Sequence, residues 1–346
     1  MKVIYSENHL GHDPQFFVVR GQIRWSNEQP EHATTLLKAA ERDGHAVVPV
    51  GDFGAAPRAA VHSARYLHFL ETVFDRWSEL DDASSDEVVP NIHPFSGEPC
   101  TYPEHLVGQV GFHLGDMACA VGLATWEAAT GAAHCATHAA ELVMAGERAA
   151  YALCRPPGHH AYVERANSFC YLNNTAIAAQ HLRRQHARVA VLDIDVHHGN
   201  GTQGIFYERS DILTVSLHAD PRYMTPFFTG YAHETDSGAS AGYNINRPLP
   251  HGMRVDACLD VLRETLAQIR AFEPGALVIA LGLDAYEMDS YKGLAITTEG
   301  FHRIMAEIAS LGLPTVIVQE GGFSPMSWAT TSPVLCGDLN RRHEAD

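Results

Sequence analysis

The sequence predicts an α/β fold: a doubly wound, mainly parallel sheet with helices on both faces, in a single domain over residues 1–346. Three observations predict it. Short runs rich in Val, Ile and Leu recur along the chain, as buried parallel strands do. Between them lie stretches that are alanine-rich or carry apolar residues at i, i+3, i+4 spacing, as helices do. No internal repeat or long Gly/Ser linker divides the 346 residues.

In chain order, the strands are expected at residues 3–5, 46–50, 150–154, 189–194, 212–217, 276–281 and 315–319. The helices are expected at 32–42, 66–77, 131–145, 173–185, 255–271 and 298–310. Residues 80–110 depart from the alternation, with the acidic run 81–87 followed by Pro90, Pro94 and Pro103, and read as a long loop insertion. A loop of that length is either functional, as a lid or interface, or a solvated surface insertion. The polar tail 339–346 is expected to fray.

Lys and Arg number 24 against 41 Asp and Glu, a net charge of −17, which argues against nucleic acid or an anionic membrane as partner and suits a cationic substrate. With 46% hydrophobic and 19% charged residues the chain is globular in composition. Its 7 cysteines are scattered and form no C-x-x-C pair, which suits free thiols in a reducing, cytoplasmic setting. The N-terminus has too short an apolar stretch for a signal peptide, and no window is long enough to span a membrane. Histidine, at 22 residues, is the one compositional oddity, and imidazole is both metal ligand and acid–base group.

The polar residues sit where this fold puts a site. Most strand runs end in a cluster of Gly, Asp and His: RPPGHH from 155, DVHHGNG from 195, HAD from 218, GLDAYEMD from 282 and EGGF from 320. The carboxyl ends of parallel strands share one edge of the sheet, so five distant stretches converge there. Asp195 and His197, two apart at a strand end, leave the same face and can grip one ion; Asp284, ending another strand, can supply a third ligand. Two carboxylates and one imidazole leave a divalent cation neutral and coordinatively open, as in a catalytic zinc site. His159 and His160 follow a rigid Arg155-Pro156-Pro157-Gly158 turn and suit an acid–base role beside that ion. Asp193 and Asn200 are the nearest candidates in sequence to orient the two rings.

At these residues the chain resembles the zinc-dependent histone deacetylase superfamily, most closely its bacterial acetylpolyamine amidohydrolases. The matching stretches are VHSARYLHFLE at 61–71, CRPPGHHA at 154–161, SFCYLNNTAIAA at 168–179, VLDIDVHHGNGTQ at 191–203, SLHADP at 216–221, LGLDAYEMD at 281–289 and EGGF at 320–323. The resemblance covers nearly the whole chain and implies an arginase/deacetylase-like fold. It implies one Zn²⁺ on Asp195, His197 and Asp284, with His159 as general base paired to Asp193 and His160 as general acid paired to Asn200. It further implies a structural K⁺ near Asp193, Asp195, His197, Ser216 and Leu217, and a tunnel wall at Phe169, with Gly158 and Gly322 among the substrate-binding positions. The insertion at 80–110 resembles the one that narrows the active-site mouth and builds a homodimer in acetylpolyamine amidohydrolases. The implied reaction is hydrolysis of an acetyl amide by metal-activated water, with a protonated histidine serving the leaving amine.

Several positions depart from the family pattern. Phe323 stands where the EGGY motif carries a tyrosine whose hydroxyl donates to the scissile carbonyl. Loss of one such donor costs on the order of 10²–10³ in kcat, about 3–4 kcal/mol. A single Tyr-to-Phe change, with the other catalytic positions matching, reads as an engineered inactivation, the alternative being a natural, nearly inactive paralogue. His32 stands where the family has an arginine serving an acetate pocket, and Thr225 falls near an expected tunnel aromatic. Glu104 and Asp116 are the substitutes for acidic residues that would read the polyamine.

Three other functions compete. An acyl-lysine deacetylase differs in substrate alone. A ureohydrolase of the arginase type needs a two-manganese cluster and more carboxylates, of which the stretch after Asp284 supplies only Asp289. A catalytically silent module for acetylated amines would carry Phe323 natively.

Overall fold

The structure is a computed structural model and describes residues 1–81, 86–95, 97, 99–236 and 240–322. Its strands are β1 (Lys2–Tyr5), β2 (Phe16–Val19), β3 (Gln22–Trp25), β4 (Ala46–Pro49), β5 (Ala149–Ala152), β6 (Val189–Asp193), β7 (Ile212–Ala219), β8 (Asn244–Leu249), β9 (Ala276–Leu281) and β10 (Thr315–Gln319). Its helices are α1 (Glu31–Arg42), α2 (Ala56–Ala59), α3 (Ala64–Ser78), α4 (Leu106–His113), α5 (Thr125–Met144), α6 (Asn174–Leu182), α7 (Asn200–Phe206), α8 (Val255–Phe272) and α9 (Thr298–Ala309).

Eight strands form one sheet in the order β4-β1-β5-β10-β9-β6-β7-β8, and every adjacent pair is parallel. The two-residue side-chain period of a strand sorts the apolar residues to the two faces. Val189 and Val191 of β6 face the side packed by α3, α5 and α6, while Ala190 and Leu192 face the side packed by α1, α8 and α9. The same alternation separates Val316 and Val318 of β10 from Ile317. The expected doubly wound architecture is therefore the observed one. Alanines 128, 129, 132, 133, 136, 139 and 140 line the buried side of α5, and their small side chains let the helix lie close to the sheet and α6.

All seven expected strands and six expected helices are present, with ends shifted by a few residues. The β2–β3 hairpin and edge strand β8 were not expected. β8 reads Asn-Ile-Asn-Arg-Pro-Leu, whose polar alternation suits a strand paired on one side only. The expected insertion at 80–110 is ordered where it is described. Val88 exchanges two backbone hydrogen bonds with Val121 (2.9 and 3.0 Å), and Glu87 Oε1 accepts from the backbone of Gln15 at 2.9 Å, tying the insertion to the hairpin. α4 begins inside the insertion at Leu106 and crosses its own earlier residues at Gly111, where a Cβ would stand 1.8 Å from the carbonyl oxygen of Ile92. The six described cysteines are free, and among the described residues no helix is long and apolar enough to cross a membrane. The tail 339–346 lies outside the described residues.

Candidate metal centre and active site

The carboxyl ends of β6, β9 and β10 are adjacent in the sheet, and the loops that leave them converge. Asp195 and His197 follow β6, Asp284 follows β9, and all three are buried. Each offers a ligand atom, and these atoms lie within 4.8 Å of one another. His197 Nδ1 is 3.1 Å from both Asp195 Oδ1 and Asp284 Oδ2. Backbone amides fix the remaining carboxylate oxygens: Val196 N–H donates to Asp284 Oδ1 and Gly321 N–H to Asp195 Oδ2, each at 2.9 Å.

The donor set fits a divalent cation on three counts. Its chemistry is that of an N/O site for zinc or a similar metal. Burial and the Asp195 carboxylate together push Asp284 up to about 7, so the two acidic groups are too close and too dry to ionise together without a positive partner. Glycines 282 and 321 hollow out the cradle: a Cβ at Gly282 would stand 2.2 Å from Asp195 Oδ2, and one at Gly321 would stand 2.5 Å from Asp284 Oδ2.

The tandem histidines face this trio. His159 Nε2 is 3.9 Å from Asp195 Oδ2, and the ring centroids of His160 and His197 are 6.0 Å apart. His159 Nδ1–H donates to Asp193 Oδ2 at 2.9 Å, and His160 Nδ1–H donates to Asn200 Oδ1 at 2.6 Å. In each ring this leaves Nε2 as the atom facing the centre. Their electrostatics differ. Burial would lower His159, but Asp193 and Asp195 outweigh it and hold its pKa well above the usual histidine range. Burial, reinforced by the neighbouring His159 and His197 rings, holds His160 well below that range.

The turn that aims both rings follows β5 and is pinned by Glu320, which follows the neighbouring strand β10. Its Oε2 accepts from Gly158 N–H at 2.6 Å and His159 N–H at 3.0 Å, and its Oε1 accepts from Thr175 Oγ1 at 2.6 Å. Glu320 had no role in the sequence reading, although its place in EGGF at a strand end was the available signal. Tyr291 was also missed: its ring stands edge-on to His197 with centroids 4.8 Å apart, and its hydroxyl lies 3.5 Å from Asn27 Nδ2 in the loop after the hairpin. Nothing in the spacing of Tyr291 marks it.

The other expected site residues divide. Phe169 is buried and meets Phe17 of the hairpin edge-to-face, with centroids 5.7 Å apart. Gly322, at φ 130°, passes close to Leu283. Thr225 is half-buried in the loop after β7, among exposed Tyr223, Phe227 and Phe228. Glu104 is exposed ahead of α4. Asp116 is half-buried, with both carboxylate oxygens engaged by the chain's own donors. Ser216 pairs in register with Asp193, beside a cavity of about 10 Å³ that both residues line. Leu217 follows in the same strand. His32 is buried beside Glu28, which forms a close ion contact with buried Arg155 (Nε to Oε1 2.6 Å). Phe323 lies outside the described residues.

A model of the histone deacetylase domain matches residues 26–338, most of the chain. The chain belongs to the histone deacetylase domain family. Within that family it is 48% identical over 312 residues to an acetylpolyamine amidohydrolase of Burkholderia pseudomallei, covering 90% of this chain and 91% of that protein. It is 38% identical over 325 residues to an acetylpolyamine amidohydrolase of Mycoplana ramosa, covering 93% and 95% of the two chains. A crystal structure of the acetylpolyamine aminohydrolase from Burkholderia pseudomallei superposes with a TM-score of 0.95 at 44% identity, over 99% of each chain. The arginase/deacetylase-like fold and the amidohydrolase class of the histone deacetylase family are thus those of this chain, and Asp195, His197 and Asp284 are its candidate metal site.

Proposed function

We propose that this chain hydrolyses the acetyl-amide bond of N-acetylated alkylamines, acetylpolyamines foremost, with one zinc ion held by Asp195, His197 and Asp284. The observation that carries the reading is the buried pair His159 and His160, each with its own oriented partner, facing the ligand trio. The names of the relatives and the net charge of −17 support a cationic substrate. Zinc, when bound, would polarise the acetyl carbonyl and acidify a water molecule.

The chain's own residues manage the protons. Asn200, a neutral amide, accepts from Nδ1–H of His160, so the neutral ring presents a lone pair at Nε2: it is the group placed to take the proton of the attacking water. Asp193, a carboxylate, accepts from Nδ1–H of His159 and favours its imidazolium form, which would deliver a proton to the departing amine. The resemblance implies the same two pairings with the roles the other way round, His159 as base and His160 as acid; the charge of the carboxylate beside His159 and the neutrality of the amide beside His160 support the division proposed here. Phe169, Gly158 and Gly322 would border the alkyl chain, and a K⁺ near Asp193, Asp195, His197, Ser216 and Leu217 would be structural. Exposed Ile23, Trp25 and Phe95, on the hairpin and the insertion, support a second copy of the chain as partner.

Phe323 offers no hydroxyl to the developing oxyanion, so the chain as it stands is expected to turn over slowly. The deciding experiment assays zinc-loaded protein and its Phe323→Tyr variant on acetylputrescine, acetylspermidine and an acetyl-lysine peptide. The variant should gain on the order of 10²–10³ in kcat and prefer the polyamines. A preference for the peptide would make it an acyl-lysine deacetylase. Binding of acetylputrescine without turnover by either protein would make it an acetyl-amine binding module.

A further inference from the structure

The residue that presents Phe169 is held in a conformation its own chemistry resists. Asn167 and Cys170 exchange backbone hydrogen bonds at 3.0 and 2.8 Å, closing a two-residue turn whose central residues, Ser168 and Phe169, both have positive φ (46° and 68°). Two consecutive left-handed residues are the mark of a type I′ turn, which favours Asn-Gly because a Cβ is crowded there. Ser-Phe is a poor sequence for it, so something outside the turn must hold it.

The outside support is Asp116. Its Oδ2 accepts from both the backbone N–H (3.0 Å) and the hydroxyl (2.9 Å) of Ser168, and its Oδ1 accepts from Ala118 N–H at 2.9 Å. The segment that carries Asp116 is laced to the segment before the turn: Gly115 N–H donates to Ala166 O and Ala166 N–H to His113 O, both at 2.8 Å, and Leu114 bridges Ala166. What the turn delivers is Phe169, the expected tunnel wall, and Cys170 beside it. Phe169 packs on Phe17, and the next side chain, Cys170, lies within 4.8 Å of the nitrogen and oxygen donors of His159 and Glu320.

We propose that Asp116 is a positioning residue for the substrate tunnel, clamping the left-handed Ser168 so that Phe169 is held against the site, and is not a reader of the substrate's amines. The role rests on the proposed hydrolysis only for its substrate; the clamp itself is geometric. It predicts a specific rescue: glycine at 168 accepts the left-handed backbone without help, so Ser168→Gly should make Asp116 dispensable.

The test compares zinc-loaded wild type, Asp116→Ala, Asp116→Asn, Ser168→Gly and the Asp116→Ala/Ser168→Gly double variant. Two quantities are read: amide hydrogen exchange across residues 167–170, and the dissociation constant for acetylputrescine by calorimetry. Asp116→Ala should accelerate exchange at Ser168 and weaken acetylputrescine by on the order of tenfold, with zinc content unchanged. The double variant should bind within about twofold of Ser168→Gly alone, since coupled positions are non-additive. Asp116→Asn keeps one acceptor oxygen and should lie between, and it stands in if the alanine variant does not fold. Unchanged exchange, or weakened binding that glycine at 168 does not restore, overturns the clamp; the latter result would make the carboxylate a direct amine reader. If wild type binds no acetylputrescine, the substrate reading fails, while the exchange arm still decides the clamp.

Discussion

Gly321 N–H donates to Asp195 Oδ2 at 2.9 Å, so the loop after β10 grips a candidate metal ligand carried by the loop after β6. The contact needs a residue without a side chain. A Cβ at 321 would stand 2.6 Å from the same Asp195 oxygen and 2.5 Å from Asp284 Oδ2, closer than real Cβ contacts come. Gly321→Ala is therefore expected to weaken zinc by on the order of 10- to 100-fold, read by competition with a chelator, while the circular dichroism spectrum is retained. Equal affinity would mean the loop yields without moving either ligand.

Removing the charge behind His159 tests the assignment of the two rings. In the Phe323→Tyr background, Asp193→Asn should lower kcat on the order of 10- to 100-fold with little change in KM, because it takes away the carboxylate that orients His159 and favours its charged form. Loss of zinc instead would place Asp193 in the metal site, where its Oδ1 accepts from Asp195 N–H.

The ion pair of Arg155 with Glu28 is buried on both sides, with Nε and Oε1 2.6 Å apart. Burial works to raise Glu28, but Arg155 and His32 outweigh it and the carboxyl is held below its usual range. Glu28→Gln would strand the guanidinium beside a neutral amide, at a cost of about 3–5 kcal/mol by chemical denaturation. A loss under about 1 kcal/mol would show that the guanidinium finds other partners, of which His9 O at 2.6 Å is the nearest.

Buried histidines make the fold sensitive to acid. Burial depresses His9 and His62 to about 4 and His12 to about 3, with Arg155 adding to the effect on His9 and His12. The unfolded chain binds these protons near pH 6.5 and the folded chain does not, so the stability they contribute is complete above about 6.5. It falls as pH drops from there toward 4. Unfolding titrations at pH 7, 6, 5 and 4.5 should show a loss of a few kcal/mol, reduced in His62→Gln. A flat profile across that range would mean the rings take up protons as readily in the fold as in the unfolded chain.

Much of the centre was legible because strand chemistry is local. A Val- and Leu-rich run followed by Asp-x-His places both side chains on one face at a strand end, and parallel strands bring their carboxyl ends together whatever lies between them. Asp195, His197, Asp284 and the tandem histidines could therefore be chosen from spacing and pattern, and they converge. Glu320 was marked by its strand-end place, but its partners, like that of Tyr291, were not, since the backbone amides of Gly158 and His159 and the ring of His197 come from segments more than 90 residues away.

What the sequence alone determined, then, is the layered fold, the parallel sheet and the candidate ligand and acid–base side chains that the structure brings together, because each follows from periodicity or from residue type at a strand end. Only the tertiary structure decided that Glu320 holds the turn of the tandem histidines, and that Asp116 supports Ser168. Both are choices among hydrogen-bond partners distant in the chain, and such partners are set by how loops pack around the sheet edge.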